Sequence, residues 1–166
     1  MSIEVRQAVS DDAEHLARLC MGVQAVHIEM HPEFFREPAH EELVVFFRDR
    51  LAEVDYTALL AWAAAEPVGY VLAHFVRRDE NVFVRERAYL EIEHLYVAQT
   101  HRRRRIGGRL VAQAIDLARA RGVEVVQLNV WARNERAIAT FEALGFEQRR
   151  HIMTLKAPRR PGPATC

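Results

Sequence analysis

The amino-acid sequence predicts an α/β domain in which helices cover both faces of a central sheet. Segments with strand-like alternation or continuous apolar character recur between segments whose apolar residues are spaced as on a helix. Half of the 166 residues are hydrophobic, which is enough to build one buried core. No linker-like stretch interrupts residues 1–156, so we predict a single domain there and a disordered Pro- and Arg-rich tail over residues 157–166.

The N-terminal half has the pattern of one strand, two helices and a hairpin. Alternating apolar residues indicate the first strand, and a Ser-Asp-Asp sequence after it provides an N-cap for the first helix. Two apolar runs separated by a Glu-Pro turn are typical of an antiparallel hairpin at the centre of a sheet. The predicted elements are a strand over Ile3–Ala8, a helix from Ala13, a helix over Ala39–Glu53 and strands over Thr57–Ala64 and Val68–Val76.

The C-terminal half alternates predicted strands with predicted helices, and a glycine marks the end of each helix. A polar loop over residues 77–87 separates this half from the hairpin. The predicted elements are a strand over Tyr89–Val97, a helix from Ile106 to Gly122, a strand over Val123–Val130, a helix from Arg133 to Gly145 and a last strand over Phe146–Leu155. The full predicted order is β-α-α-β-β-β-α-β-α-β.

The charge of the chain is balanced, with 23 Lys and Arg against 23 Asp and Glu. Such a chain has no overall field that would attract nucleic acid or an anionic membrane, so neither partner is predicted. Locally the charges are uneven, which suggests an anion site and an acceptor site for a cationic molecule, with scattered solvated charge as the alternative. The arginine clusters are residues 102–105 and 149–150, and the acids are Glu41, Glu42, Glu91 and Glu93.

The two cysteines, Cys20 and Cys166, are too far apart in sequence to suggest a disulfide framework or a metal site, and no metal is predicted. The N-terminus lacks the apolar core of a signal peptide, and no apolar run approaches membrane-spanning length. The reducing cytoplasm is the predicted location.

The segment His27–Pro38 is predicted to be a loop, because prolines interrupt the helical spacing of its apolar residues. It contains two His, two Phe and three Glu residues. Two interpretations remain open at this point: the aromatic side chains fill the core, or they form one wall of a substrate pocket.

The most informative stretch is a predicted strand that runs into a basic loop and then directly into a long helix. The loop, His101–Gly108, contains four consecutive arginines followed by Ile-Gly-Gly. The first turn of a helix exposes unpaired backbone N–H groups and a positive dipole end, which together bind anions. Glycine allows a phosphate to approach the backbone, and arginine provides planar, multi-donor charge. We therefore predict a phosphate-bearing cofactor here, with an RNA-facing patch as the alternative.

The order of elements and two motifs resemble the GNAT superfamily of acetyl-CoA-dependent N-acetyltransferases, over nearly the whole chain. The family signature is Gln or Arg, two residues, Gly, one residue, then Gly or Ala. It is similar to the run Arg102–Gly107, in which Arg105 stands at the first glycine. The segment Asn134–Phe146 is similar to the family's Asn-x-x-Ala…Gly-Phe sequence, with Phe141 at a position that usually holds tyrosine.

The resemblance implies a mostly antiparallel sheet in which the strand ending at Val97 splays from the strand beginning near Val123. The V-shaped cleft between them would hold acetyl-CoA, with its pantetheine against the open backbone and its pyrophosphate on the basic loop. Backbone N–H groups of the splayed strand would also stabilise the oxyanion of a tetrahedral intermediate. The residues implied to bind the cofactor are Leu95, Tyr96, Val97, Arg102, Arg103, Arg104, Arg105, Ile106, Gly107, Gly108, Asn134, Ala137 and Phe141.

An amine acceptor must lose a proton before it attacks, since an alkyl ammonium has a pKa of about 10. The resemblance makes Glu93 the first candidate for the base, because a glutamate in this position lies near the acceptor in small-amine members. Glu91 matches the position used by histone-type members. Structural carboxylates paired with arginine are the alternative. Strict alternation predicts Glu91, Glu93, Leu95 and Val97 on one face of the strand, and Leu90, Ile92, His94 and Tyr96 on the other, where His94 would be a core or surface histidine.

The predicted function is transfer of an acetyl group to a primary amine by direct attack. A small cationic acceptor is favoured because several acids could line its pocket, and a peptide amine or a non-catalytic acyl-CoA sensor are the alternatives. Since Phe141 cannot donate a proton, water, Tyr96 or Tyr89 would protonate the thiolate, or it would leave as an anion. The acids that could line the acceptor pocket are Glu29, Glu33, Glu91 and Glu93.

The last predicted strand, Phe146–Leu155, is the predicted place for contacts in a homodimer.

Overall fold

The computed structural model describes residues 2–156, and its elements follow the predicted order as far as the fourth helix. The strands are β1 Ile3–Gln7, β2 Tyr56–Ala63, β3 Glu66–Arg78, β4 Arg87–Val97 and β5 Val126–Leu128. The helices are α1 Ala13–Met30, α2 His40–Ala52, α3 Ile106–Ala120 and α4 Glu135–Ala143. Single turns of 3-10 helix precede α1 and follow β4.

The strands form one sheet in the order β1-β2-β3-β4-β5. The first four strands pair antiparallel with their neighbours, and β5 pairs parallel with β4. The central strand, β3, is buried from Pro67 to Ala73, as its continuous apolar run predicts. The mixed, mostly antiparallel sheet is therefore confirmed.

Helices cover both faces of the sheet and create two cores. On one side, which we call the α1/α2 face, Leu16 and Phe47 pack against Tyr70 of the sheet. On the other side, the α3 face, α3 buries an apolar stripe with helical spacing. The stripe consists of Ile106, Leu110, Val111, Ala114 and Ala118.

Two elements have a boundary that differs from the prediction by more than two residues. α1 continues through His27 to Met30, so the predicted loop begins only at His31. The helix ends there because a proline follows at residue 32 and disfavours helical backbone in the residue before it, and His31 has φ −144° and ψ 64°. β5 covers only the middle of the predicted strand, because it has a strand partner over that length alone.

The predicted last strand is wrong. Residues 146–156 form neither helix nor strand, and no described strand pairs with the outer edge of β5. Met153 in this segment is 93% exposed, so its apolar content does not reflect burial. The homodimer predicted through this segment stays a prediction, and the predicted disordered tail lies outside the described residues.

None of the helices within residues 2–156 combines the length and apolar composition needed to span a bilayer. In the same part of the chain, no group of three or more His, Cys, Asp or Glu side chains is arranged to hold a metal ion. The cytoplasmic location and the single-domain organisation stay predictions.

Candidate functional site

Strand β4 separates from its neighbour β5 part-way along its length. The two strands pair from Leu90–Val126 to Ile92–Leu128, and among the described residues nothing pairs with β4 on that side beyond Ile92. Backbone groups of Glu93–Val97 that point away from β3 therefore face an open cleft, where they need a partner, apart from the Val97 carbonyl, which accepts a hydrogen bond from Arg102. An extended ligand with amide groups can pair with them as an added strand would. The splayed-strand cleft is confirmed.

A β-bulge interrupts β4 where its pairing with β5 ends. Ile92 pairs with Ala73 of β3, whereas His94 pairs with Leu72. Glu93 is therefore an extra residue between two consecutive pairs. The bulge places a carboxylate at the apex of the cleft and resets the alternation of the side chains that follow.

The reset alternation makes part of the predicted arrangement of faces wrong. Leu95 and Val97 pack on the α3 face. His94 and Tyr96 pack on the α1/α2 face, which is also the face of Glu93. Strict alternation fails because the bulge adds one residue to β4 without adding a partner in β3. The histidine therefore lies on the same side of the sheet as the candidate base.

Glu93 is held by residues from two neighbouring strands. The Tyr56 hydroxyl of β2 donates a hydrogen bond of 3.0 Å to Glu93 Oε1. Burial and this carboxylate raise the pKa of Tyr56, so the hydroxyl keeps its proton. Nδ1 of His74, on β3, lies 3.0 Å from the same oxygen, and the Tyr56 and His74 rings stack with centroids 4.9 Å apart. No hydrogen bond or ion pair from the described residues involves Glu93 Oε2.

Glu91 contacts the opposite side of the cleft. Asn129 directly follows β5, and its Nδ2 donates a hydrogen bond of 2.6 Å to Glu91 Oε1. This bond crosses between the two strands where their backbone pairing ends. Glu91 therefore bridges the strands, and Glu93 is the carboxylate that lies beyond the last strand pair.

His94 lies next to the bulge but faces the core. The Tyr70 hydroxyl is 3.0 Å from His94 Nδ1, and the rings of Phe46 and Phe47 flank the imidazole with centroids 6.4 Å away. Burial, aided by the nearby His27, lowers the pKa of His94 to about 4. The ring is therefore neutral at pH 7 and within hydrogen-bond distance of the Tyr70 hydroxyl. Of the two predicted settings, core or surface, the structure shows the core.

We expect the neutral His94 to make the fold sensitive to acid. Because its pKa falls from 6.5 to about 4 on folding, the unfolded chain binds more protons between these values, and stability decreases as pH falls through that window. Urea unfolding should show a loss of about 2 kcal/mol between pH 7 and pH 5. His94→Asn, which can still accept from Tyr70, should flatten this dependence to the part due to His27, whose pKa burial also lowers. An unchanged slope would contradict the assignment.

An aromatic cluster joins the end of α1 to the loop after β5. Trp131 contacts His31, Phe34 and Phe35, with ring centroids 4.5, 5.7 and 5.4 Å away. His27 stacks on Phe35 at 4.7 Å. Phe34 and Trp131 remain exposed, so these two rings are not part of the core. Because Trp131 belongs to the loop that directly follows β5, the cluster lies beside the cleft.

The basic loop places positive charge and unpaired backbone N–H groups at the N-terminus of α3. Arg105, the residue before the helix, has φ 60° and ψ 15°, in the left-handed region. Its carbonyl accepts the first helical hydrogen bond, from the Arg109 N–H. The N–H groups of Ile106, Gly107 and Gly108 have no hydrogen-bond partner among the described residues, so they and the helix dipole are free to bind an anion. The Ile106 side chain is buried, so only its backbone is available to a ligand.

The arginine side chains of the loop have different roles. Arg102 is used internally, because its Nε–H donates to the Val97 carbonyl at 3.0 Å. Its guanidinium also lies 5.7 Å from the centre of the Tyr96 ring. Arg103 and Arg104 are exposed and keep their donors for a ligand.

A cavity of about 450 Å³ connects the loop to α4. Gln99, Thr100 and the arginines Arg102–Arg104 line one side of it, and Arg136 of α4 lines the other. Four arginines line this one cavity, and their positive charges repel each other unless anions lie between them, which suits a ligand with more than one phosphate. Sequence reasoning missed Arg136. Its position in the first turn of a helix, where the dipole disfavours a cation, is the signal that could have found it.

Comparison with known proteins agrees with this geometry. The family model of the acetyltransferase (GNAT) family matches residues 23–146. The chain belongs to the GNAT family.

Individual relatives extend the likeness over most of the chain. An uncharacterized N-acetyltransferase of Methanocaldococcus jannaschii is 37% identical over 84 residues, which are 51% of this chain and only 36% of that relative. A tetramutant of the BH1408 protein from Bacillus halodurans superposes with a TM-score of 0.87 at 24% identity, covering 93% of this chain and 99% of that one. Aminoglycoside N-acetyltransferase AAC(6')-Iy, in complex with CoA, gives 0.76 at 17% identity, covering 94% and 95%. At these identities the two solved structures establish the fold alone.

The left-handed backbone at Arg105 explains why the GNAT signature usually has glycine there. Glycine adopts this conformation without a steric penalty, whereas an L-residue costs about 1–2 kcal/mol. Arg103, with φ 61°, is in the same region. The chain therefore keeps a backbone suited to glycine while it carries two extra cations, and the Arg105 side chain points to solvent.

We expect Arg105→Gly to stabilise the protein, by about 0.5–1 kcal/mol, because the relief of strain exceeds the extra chain entropy of glycine. Arg104→Gly is the matched control. Arg104 is absent from the residues with positive φ, so glycine there should destabilise by a similar amount. Urea unfolding of both variants measures the difference, and equal effects would rule out the strain.

The second GNAT motif starts α4 and continues beyond its end. Asn134 is the N-cap, and its Oδ1 accepts the Ala137 N–H at 3.1 Å. These two groups satisfy each other, so their contribution to a ligand site is the placement of the helix. Phe141 packs edge-to-face on Phe146 with centroids 5.7 Å apart and is half-buried.

Proposed function

We propose that this chain is an acetyl-CoA-dependent N-acetyltransferase that acts on a primary amine by direct attack. The observation that carries the proposal is the placement of Glu93: a bulge sets this carboxylate at the apex of a cleft that leads along β4 to the anion site of α3. A ligand with both amide groups and phosphates, as CoA has, matches the cleft backbone and the basic loop together. Membership of the GNAT family and the CoA complex of AAC(6')-Iy support this assignment.

The cofactor would lie along the splayed strand. Its pyrophosphate accepts hydrogen bonds from the backbone of Ile106–Gly108, and Arg103 and Arg104 add charge. Its pantetheine amides pair with the open backbone of Leu95–Val97. The half-buried ring of Phe141, on α4 across the cleft, provides an apolar surface for the thiol end.

The acceptor enters as an ammonium ion, and Glu93 Oε2 removes one proton directly or through a water molecule. The neutral nitrogen then attacks the thioester carbonyl carbon. As the C–N bond forms, negative charge develops on the carbonyl oxygen, and backbone N–H groups of the splayed strand stabilise it. The attacking nitrogen, now positively charged, loses its second proton to water, and the C–S bond breaks, which releases the neutral amide and the CoA thiolate.

The thiolate must find its proton elsewhere than on α4, because Phe141 has no hydroxyl. Tyr89 is buried and precedes the part of β4 that lines the cleft, so it is poorly placed. Tyr96 lies within the splayed segment, but its hydroxyl packs against Gly22 of α1. We therefore propose water as the donor, or departure of the thiolate as an anion.

We propose that the acceptor is a small cationic amine bound on the α1/α2 face. Glu91 and Glu93 supply negative charge there, and the exposed rings of Phe34 and Trp131 attract cations through their faces. Glu33 Oε1 lies 3.4 Å from Nδ1 of His31, which belongs to the aromatic cluster. Glu29, the remaining predicted acid, lies on an exposed part of α1. AAC(6')-Iy, which acts on aminoglycosides, is similar in fold. A peptide amine is the second candidate.

The test combines binding and turnover. Calorimetry measures CoA affinity, and a thiol assay measures CoA release from acetyl-CoA with polyamines, aminoglycosides and peptides as acceptors. Release with at least one amine, and a product mass increased by one acetyl group, supports the proposal. Tight CoA binding without release for any amine would favour the acyl-CoA sensor, and absence of CoA binding would refute both.

We expect Trp131→Ala to raise KM for the acceptor about 10-fold while KM for acetyl-CoA stays unchanged. The reason is the loss of an aromatic face that contributes about 1 kcal/mol or more to binding a cation. Phe83→Ala is the matched control, because Phe83 is also exposed but lies on the β3–β4 turn. Equal acceptor KM values for wild type and Trp131→Ala would place the acceptor elsewhere.

A further inference from the structure

We propose that Tyr56 and His74 are positioning residues for Glu93: they hold its Oε1 atom so that Oε2 faces the acceptor amine. The inference rests on the proposed function, since it assumes that Glu93 is the base. It adds two residues that belong to neither GNAT motif. Both come from strands that precede β4 in the chain.

The geometry that carries the inference converges on one oxygen atom. The Tyr56 hydroxyl donates to Glu93 Oε1 at 3.0 Å, and His74 Nδ1 lies 3.0 Å from the same atom. His74 Nδ1 is buried and makes no hydrogen bond of acceptable angle. A small rotation of the imidazole ring would align it with Glu93 Oε1, which is already within 3.0 Å. Two contacts on one oxygen restrict the rotation of a side chain that is otherwise 26% exposed.

The two positioning residues are themselves held in place. Their rings stack with centroids 4.9 Å apart, because Tyr56 and His74 are direct cross-strand partners on β2 and β3. The guanidinium of Arg50, on α2, lies 4.7 Å from the centre of the Tyr56 ring on that face of the sheet. The arrangement therefore extends from helix α2 through two strands to the bulge, and it leaves only the acceptor side of Glu93 open.

The charged groups around this cluster come from α2, from the residue that ends α2, and from β4. Arg50 of α2 is paired with Glu53 at 2.6 Å, and both influence Tyr56. Glu91, the cross-strand partner of His74 in β4, lies on the same face but is bonded to Asn129. A pH effect assigned to the Tyr56 hydroxyl must therefore be measured with these charges unchanged.

Tyr56→Phe is the decisive variant, because it keeps the ring stacked between Arg50 and His74 and removes only the hydroxyl. A donor to an ionised carboxylate favours the charged form. Its loss should therefore move the acid limb of the kcat–pH profile upward by about half to one pH unit and lower kcat about 10-fold. KM for acetyl-CoA should not change, since the cofactor site is on the other side of the bulge.

His74 has a matched pair of variants. In His74→Asn the side-chain amide reaches the place of Nδ1 and can donate to Glu93, whereas His74→Leu offers no donor. We expect the asparagine variant to keep most of kcat and the leucine variant to lose about 10-fold. Comparable losses in both would assign His74 a packing role and overturn its part of the proposal.

A double variant separates positioning from stability. In a Glu93→Gln background, Tyr56→Phe should cause no further loss of kcat, because the carboxylate it serves is gone. Independent, multiplicative losses, or a wild-type pH profile for Tyr56→Phe, would overturn the inference. If the wild type releases no CoA with any amine, the proposed function is refuted and this inference falls with it. An active wild type whose Tyr56→Phe variant has the same kcat and pH profile would refute the inference alone.

Discussion

Glu93→Gln is expected to lower kcat about 10²–10³-fold with the best acceptor, while CoA affinity stays unchanged. Glutamine keeps an oxygen to accept the Tyr56 hydroxyl, so the strand and its bulge should remain in place. It cannot take a proton from an ammonium group, and a positioned base typically contributes a factor of this size. Stopped assays at several pH values measure the loss, which should shrink at high pH as more of the amine becomes neutral without help.

Glu91→Gln is the control for this prediction. Glu91 is bonded to Asn129 across the cleft, and glutamine can maintain that contact through its carbonyl oxygen. We expect a loss of less than about 10-fold. A larger loss in Glu91→Gln than in Glu93→Gln would transfer the role of base to Glu91, and a negligible loss in both would exclude a carboxylate base at this site.

The second large effect concerns the cavity between the basic loop and α4. Replacing Arg103, Arg104 and Arg136 together with glutamine should raise the Kd for CoA about 100-fold. Each arginine on this cavity contributes a charge-assisted contact of about 1 kcal/mol after solvent screening. Calorimetry at two salt concentrations should also show a weaker salt dependence for the variant than for the wild type.

Dephospho-CoA, which lacks the 3′-phosphate, resolves which phosphate these arginines bind. If Arg136 holds the 3′-phosphate, Arg136→Gln should weaken CoA binding but leave dephospho-CoA binding unchanged. The matched control is Arg119→Gln, because Arg119 is an exposed arginine of α3 that is 3.6 Å from Asp116 and away from the cavity. An effect of Arg119→Gln as large as that of the cavity arginines would show that only net charge matters.

Short-range patterns predicted the presence and order of the four helices, because the interactions behind them act within a few residues. The apolar stripe of α3 buries as its spacing requires. The helix stops where Gly122 adopts φ 72°, a conformation that glycine allows. The phosphate loop was likewise predicted from one helix N-terminus and its flanking charges.

The details of the candidate base could not be predicted in the same way. The sequence of β4 does not indicate that Glu93 is an extra residue, because a bulge is defined by the register of β4 against β3. Its partners Tyr56 and His74 are distant in sequence and meet it only through strand pairing. Tyr56 and His74 each lie in a strand and belong to no local motif, so a search for local motifs does not identify them.

The wrong last strand has the same cause. A strand needs a neighbouring edge with which to exchange hydrogen bonds, and the apolar residues after Phe146 have no such neighbour among the described residues. The apolar composition of a segment reflects its tendency to form a strand. It does not show whether another strand is available to pair with it.

Tyr96 lies between the basic loop and helix α1. Its hydroxyl fills the space beside Gly22 of α1, where a Cβ would lie 2.2 Å away, and its ring lies near the guanidinium of Arg102. The ring therefore packs between the guanidinium of Arg102 and the backbone of α1. That helix ends in the aromatic cluster around Trp131. One packed side chain thus joins the basic loop to the helix that carries the aromatic cluster.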